Sequence, residues 1–196
     1  MDERTLGAYT KGAAGFSEDW LSQPPPEDMY RLFERFFRKG VPTADIGCGN
    51  GRDAAWLDAN GYPCTGYEGS EALVAEARRL FPGLAFEHAV LPELEAIPDD
   101  AFGNVVCETV IMHLPRTEIE PALANLTRIL RRGGVLYLSW RVTPAVDIRD
   151  FLGRLYSAFE PELALVALAG YARLHFEDVV SASSGKRVCR FVGRRL

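Results

Sequence analysis

No two of the chain's four cysteines stand at metal-binding or redox spacing. Cys48, Cys64, Cys107 and Cys189 are scattered, and C-x-x-C does not occur. No zinc site or disulfide framework is signalled, and no metal is expected. Cys48, Cys64 and Cys107 fall in or beside strand patterns and read as buried thiols in a reducing compartment. An apolar run of membrane-spanning length is also missing. Met1-Asp2-Glu3-Arg4 has none of the character of a secretory leader, so a cytoplasmic location without membrane contact is expected. An excess of positive charge is absent too. Lys and Arg number 22 against 27 Asp and Glu, a net charge of −5. That counts against binding by phosphate neutralisation, and no nucleic-acid partner is expected. The chain shows no repeat, low-complexity block or long linker. Its 196 residues, 47% hydrophobic and 25% charged, suffice for one sizeable core.

What is present is an alternation of two periodicities. Residues 1–23 are polar and glycine-rich, and Pro24-Pro25-Pro26 interrupts any helix there. An amphipathic helix is predicted over 27–39, with Leu32, Phe33, Phe36 and Phe37 on its buried face and Gly40 as its stop. From Val41 strands and helices alternate. Strands are predicted over 43–46, 64–67, 84–88, 102–107 and 135–140. Helices are predicted over 52–60, from the cap Ser70 to Leu80, and over 116–130, with Gly133-Gly134 turning into the fifth strand. Such alternation implies parallel strands with helices on both faces. Toward the end, 148–159 and 161–169 read as helices. Two strands, 172–177 and 187–194, joined by a turn at 181–186, read as an antiparallel hairpin closing the sheet. The expected fold is a single α/β domain over 1–196. It has a Rossmann-like, mostly parallel seven-stranded sheet over 41–196, with residues 1–40 as an N-terminal lid and helix.

The sharpest signal is Ala44-Asp45-Ile46-Gly47-Cys48-Gly49-Asn50-Gly51-Arg52-Asp53, a buried strand running into a glycine-rich turn and a helix. A phosphate loop needs G-x-x-x-x-G-K-[ST], and this turn has no Lys. The dinucleotide fingerprint needs a third glycine where Arg52 stands. The pattern is G-x-G-x-G, with Asp45 two residues ahead of it. At the expected end of the second strand, Gly66-Tyr67-Glu68-Gly69-Ser70 supplies a carboxylate able to accept two hydrogen bonds from ribose hydroxyls. Ligands of open α/β sheets lie beyond the carboxyl ends of the strands, which nominates His88, Ala89 and Val90 after the third strand and Glu108, Thr109 and Val110 after the fourth.

The turn and the spaced acid resemble motif I and the second-strand acid of class I S-adenosylmethionine-dependent methyltransferases, small-molecule type. The resemblance covers about residues 40–196. It implies S-adenosylmethionine as cofactor and methyl transfer to a small-molecule nucleophile. Asp45 would orient the amino-acid end, with Gly47, Cys48, Gly49 and Arg52 around it. Glu68 would hold the ribose beside Gly69 and Ser70. Leu91 would flank the adenine with His88, Ala89 and Val90, although many relatives have an Asp where His88 stands. Glu108 and Thr109 would complete the cofactor set. His113, in His113-Leu114, would lie near the methyl group and act as general base, or else only line the pocket. Tyr9, in a segment that also holds Lys11, Phe16 and Trp20, would belong to a lid over the methionine moiety. Trp140 and Arg141 would face the acceptor, suiting a flat or anionic molecule. Arg149, Arg154, Lys186 and Arg187 read as solvated surface, and His175 as structural. A monomer or homodimer is expected. A nucleic-acid methyltransferase, an NAD-dependent oxidoreductase and a non-catalytic binding protein remain as alternatives. The D/N-P-P-Y/F signature is absent and Arg52 replaces the third glycine, which counts against the first two.

Overall fold

Thr43, Ala44, Asp45 and Ile46 form the strand around which everything else is arranged. In the computed structural model, which describes residues 1–143, 145–180 and 185–196, β1 (Thr43–Ile46) pairs in parallel with β2 (Cys64–Glu68) on one side and β4 (Phe102–Cys107) on the other. Adding β3 (Ala85–His88), β5 (Leu130–Arg141), β8 (Tyr171–Val180) and β9 (Arg187–Arg195) gives seven strands in the order β3-β2-β1-β4-β5-β9-β8. β9 runs antiparallel between β5 and β8. The order reverses between β1 and β4, and the crevice this reversal opens at the carboxyl ends is where ligands of such sheets bind. The four β1 residues are buried, as expected of a strand covered on both faces.

Both faces carry helices. On one, α3 (Glu27–Phe36), α4 (Arg52–Ala59) and α5 (Glu71–Leu80) pack Phe33, Leu57 and Val74 against Tyr137 and Val192. On the other, α6 (Arg116–Ile129) and α7 (Pro161–Ala167) pack Leu123, Leu126 and Ala164 against Leu138 and Trp140. Ser70 caps α5 by accepting from the Leu73 amide. The buried face of α3 is Met29, Tyr30 and Phe33. Leu32 and Phe36 are only half-buried, and Phe37 is buried just beyond the helix end.

Three local expectations are corrected. Residues 1–23, read as polar and glycine-rich with no helix assigned, form two helices, α1 (Glu3–Lys11) and α2 (Ala13–Ser22). Asp2 caps α1 by accepting from the Thr5 amide at 2.9 Å. Leu6, Tyr9, Ala13, Phe16, Ser17 and Trp20 recur at helical spacing along the pair. Residues 148–159 are not a helix either. They hold a short antiparallel hairpin, β6 (Ile148–Arg149) and β7 (Leu155–Tyr156). Its turn is set by Asp150, whose side chain accepts from the Leu152 and Arg154 amides at 3.0 Å, and by Gly153 at φ 86°. Finally, Gly133-Gly134 lies inside β5, absorbed as a register shift against β4. The turn expected at 181–186 lies mostly outside the described residues.

Candidate functional site

The β1–α4 turn is drawn tight by its own backbone. Gly47 and Cys48 amides donate to the Tyr67 carbonyl at 2.7 and 3.1 Å, and the Gly51 amide to Cys48 at 2.9 Å. Gly47, Gly49 and Gly51 have φ of 76°, 56° and 82°, a region side-chain-bearing residues avoid. A Cβ on Gly47 would sit 2.4 Å from Val110, and one on Gly49 would sit 2.8 Å from the Trp20 ring. The first glycine thus lets β4's exit loop close in, and the second lets the lid come down.

Carboxyl groups converge on this turn. Glu68 accepts from the Gly49 amide at 3.0 Å and the Ser70 amide at 2.9 Å, one on each oxygen. Each oxygen keeps a lone pair. Asp45 is fully buried beside Asp53, Glu68 and Glu108. Burial, then those charges, push its carboxyl well above the usual range. Its Oδ2 has no hydrogen-bond partner among the described residues. Glu108 is fixed from the β5 side, with Oε2 accepting from Tyr137 at 2.7 Å and from Ser139. Burial raises its pKa as well. Thr109 follows at φ 53°. That backbone costs about 1–2 kcal/mol, and the Thr109 amide's bonds to Ser139 hold it.

Across the crevice lie α1 and α2, whose Tyr9 and Trp20 line it. Asn50 donates to the Ser17 carbonyl at 3.1 Å, and Arg52 to the Trp20 carbonyl at 2.9 Å, fastening α2 to the turn. The hairpin fastens α1. Arg149 grips Asp2 with two 2.8 Å bonds, the Leu155 amide donates to Thr5 at 2.8 Å, and Arg154 donates to the Tyr9 hydroxyl at 3.2 Å. His113 ends a single 3₁₀ turn, Ile111–His113, and is 4% exposed. Its Nδ1 lies 2.5 Å from the Leu155 carbonyl and its Nε2 3.0 Å from the Tyr9 hydroxyl. A carbonyl only accepts, so Nδ1 carries the hydrogen and Nε2 receives the Tyr9 proton. Burial is the main reason the imidazole's pKa falls to about 4. Burial also lifts Tyr9 to about 12.

Two adjoining cavities result. The smaller, about 100 Å³, has Glu68, Gly69, Leu73, Ala89 and Leu91 in its wall. The larger, about 360 Å³, has Asp45, Cys48, Arg52, Arg141, Arg154 and Tyr156. Tyr9, Trp20, Gly47, Gly49, Glu108, Thr109 and His113 line both and so mark the junction.

Most residues nominated from the sequence therefore meet in one place. Ser70, His88 and Val90 line neither cavity. Ser70 is occupied in capping α5, and His88 is exposed and bonded to the Gly69 carbonyl at 2.9 Å. Trp140 does not face the site. It is 0% exposed and stacks on Phe159 under α6 and α7. Its neighbour Arg141 is on the cavity wall, and adjacent strand residues point to opposite faces. Arg154, read from sequence as solvated surface, is part of the site, as are Tyr156 and Trp20.

A family model described as a methyltransferase domain matches residues 44–138, the stretch that builds the crevice. This match and the fold support a class I S-adenosylmethionine-dependent methyltransferase. Among curated proteins, the trans-aconitate 2-methyltransferase of Methylobacterium nodulans is 38% identical over 99 residues, 48% of this chain and 36% of that one. The malonyl-[acyl-carrier protein] O-methyltransferase of Enterobacter lignolyticus is 29% identical over 178 residues, 79% of this chain and 65% of that one. The methyltransferase chain thus spans less than two thirds of the length of either relative. Its fold superposes on the Burkholderia thailandensis 1,6-didemethyltoxoflavin-N1-methyltransferase with a TM-score of 0.79 at 18% identity, covering 98% of this chain and 87% of that one. Among the described residues, no helix is long and apolar enough to cross a membrane.

Proposed function

We propose that this methyltransferase moves a methyl group from S-adenosylmethionine to a small-molecule nucleophile. The observation that carries the reading is the partnerless, buried Oδ2 of Asp45 at the wall of one cavity, with the half-satisfied Glu68 carboxylate across the glycine turn in the other. A buried carboxyl without a partner is costly, and an ammonium group is the partner that relieves it. The donor set fits the cofactor. Glu68 accepts the ribose hydroxyls, Ala89 and Leu91 flank the adenine, and Asp45 and Glu108 face the amino-acid end.

When bound, the cofactor supplies a methyl carbon made electrophilic by a neighbouring sulfonium. The chain's own task is alignment and exclusion of water, for which well-held reactants gain on the order of 10⁵ M or more in effective molarity. Trp20 and Tyr9 cover the junction. His113, with both ring nitrogens already bonded, holds the Tyr9 hydroxyl there rather than serving as the base. The acceptor enters the larger cavity on the Arg141 side. Isothermal titration with S-adenosylmethionine and its demethylated product tests the assignment. Micromolar binding that weakens at least tenfold in Glu68→Ala is expected, and no heat from either compound in the native protein would overturn it.

A further inference from the structure

The far wall of the larger cavity carries an unbalanced charge. Arg141 closes β5, and its guanidinium carbon lies 4.7 Å from the centroid of the Tyr156 ring. Arg154 reaches the same ring at 5.9 Å. Two guanidinium groups over one ring repel unless something negative sits with them. The other arginines in this wall have carboxylate partners. Arg154 pairs with Asp150 at 2.7 Å, Arg52 with Asp53 at 3.1 Å, and Arg190 with Asp28 at 2.6 Å and Glu177 at 2.9 Å. Lys186 has a partner of its own. The side chain of Arg141, half-buried, has no ion pair or hydrogen bond among the described residues. Its donor fork is therefore open beside the Tyr156 ring, on the wall of the cavity that Tyr9 and His113 share with the cofactor side.

Resting on the methyl-transfer reading, we propose that the methyl acceptor is a small organic acid whose carboxylate is held by Arg141 against Tyr156. The fork of a guanidinium matches the two oxygens of a carboxylate and gives two parallel charge-assisted bonds. A phosphate monoester would match the fork as well. However, it brings close to two negative charges at neutral pH, whereas among the described residues the wall offers one cation without a carboxylate partner. The carboxyl groups of Asp45, Asp53, Glu68 and Glu108 gather at the β1 turn, and burial followed by the other three raises Asp45. The charges felt at His113 are instead those of Arg154, Asp150 and Asp2. Carboxyl groups thus crowd the turn end of the larger cavity, while Arg141 on its far wall has no carboxylate partner among the described residues. Arg141 acts here as a specificity-determining residue. It selects and orients the acid and leaves the cofactor's own contacts alone.

The test uses the whole chain and a small-metabolite extract split on an anion exchanger at neutral pH. Label from methyl-tritiated S-adenosylmethionine is expected to enter acceptors of the retained pool only. Phosphatase treatment of that pool leaves transfer intact, and amidation with a carbodiimide and an amine abolishes it. Arg141→Gln is expected to raise the KM for the retained pool about 10- to 100-fold, with Arg141→Lys in between. Cofactor affinity by titration stays unchanged in both variants. As a readout apart from turnover, the retained pool raises the melting temperature of native protein saturated with S-adenosylhomocysteine but not that of Arg141→Gln. Acceptor activity in the unretained pool, sensitivity to phosphatase, an unaltered KM in Arg141→Gln, or no acceptor in a protein that binds the cofactor each overturns the proposal. Absence of cofactor binding instead sinks the underlying assignment.

Discussion

Tyr9 and His113, 104 positions apart in the chain, meet side chain to side chain at 3.0 Å, with the phenol donating to the imidazole Nε2. A residue of the first helix is thereby joined to the end of the 3₁₀ turn after β4. The Leu155 carbonyl, which can only accept, settles the tautomer by taking Nδ1–H and leaves Nε2 to receive the Tyr9 proton.

His113 is expected to stay neutral far below the usual histidine range. Its pKa falls to about 4 in the folded protein. An unfolded chain protonates it near 6.5, so between those values the unfolded state binds the extra proton. This contribution to stability is full above about pH 6.5 and declines by roughly 3 kcal/mol in total as pH falls to about 4. Imidazole resonances followed by NMR should show one Nδ1–H form from pH 8 down to pH 5. A midpoint near 6.5 would contradict the buried arrangement.

Cofactor binding is expected to expel a proton. The Asp45 carboxyl is raised, mainly by burial and then by its acidic neighbours. A raised acid keeps its proton above the ordinary carboxylate range, and an arriving ammonium displaces it. Affinity therefore climbs with pH until Asp45 is ionised without help. Calorimetry in two buffers of different ionisation heat measures the proton count directly. Asp45→Asn should weaken binding about 10- to 100-fold, the worth of a charge-assisted bond, and flatten the pH dependence. Equal heats in both buffers would refute it.

Two glycines should respond oppositely to the same change. At Gly7, in the middle of α1, an added Cβ meets nothing within 4 Å. Gly7→Ala is expected to raise stability by about 0.5–1 kcal/mol. At Gly49 the Cβ would meet the Trp20 ring at 2.8 Å on a backbone of φ 56°. Gly49→Ala should push the lid away, weaken cofactor binding and shift tryptophan emission to the red. Unchanged binding and emission in that variant would show that Trp20 does not rest on the turn.

Thr5 and Leu155 offer a near-isosteric probe of the lid. Thr5 is fully buried and its hydroxyl receives the Leu155 amide at 2.8 Å. Thr5→Val keeps the shape and leaves that amide unpaired, at a cost of about 1–3 kcal/mol. Amide exchange should accelerate in α1 and in β6–β7 together. Acceleration in only one of them would mean that they open separately.

The sequence carried the crevice because its parts are local. Asp45, the three glycines and Arg52 lie within eight positions, and Glu68 ends the very next strand. The lid was half legible. Leu6, Tyr9, Ala13, Phe16 and Trp20 have helical spacing, but the glycines and the Pro24–Pro26 run drew attention away from it. The 148–159 segment misled for a physical reason. Ile148, Phe151, Leu152, Leu155, Tyr156 and Phe159 are spaced like one face of a helix, yet Phe151 is 93% exposed, so no such face is buried. Turn chemistry at Asp150 and Gly153 prevailed over periodicity. Arg154 and Tyr156 reach the site only through that hairpin, which is why a charge in this stretch read as solvated surface. Trp140 could have been excluded beforehand, since strand alternation forbids it from sharing Arg141's direction.

The N-terminal helices are tied at two ends, to the β1 turn through Ser17 and Trp20 and to the hairpin through Asp2, Thr5 and Tyr9. Tyr9–His113, Thr10–Ser70 and the Met1 amine–Glu118 pair add to these ties, so the two helices cover the site as one fastened piece. On the methyl-transfer reading, departure of spent cofactor is expected to be slower than the displacement at carbon, and a pre-steady-state burst equal to one product per chain is the result that checks it.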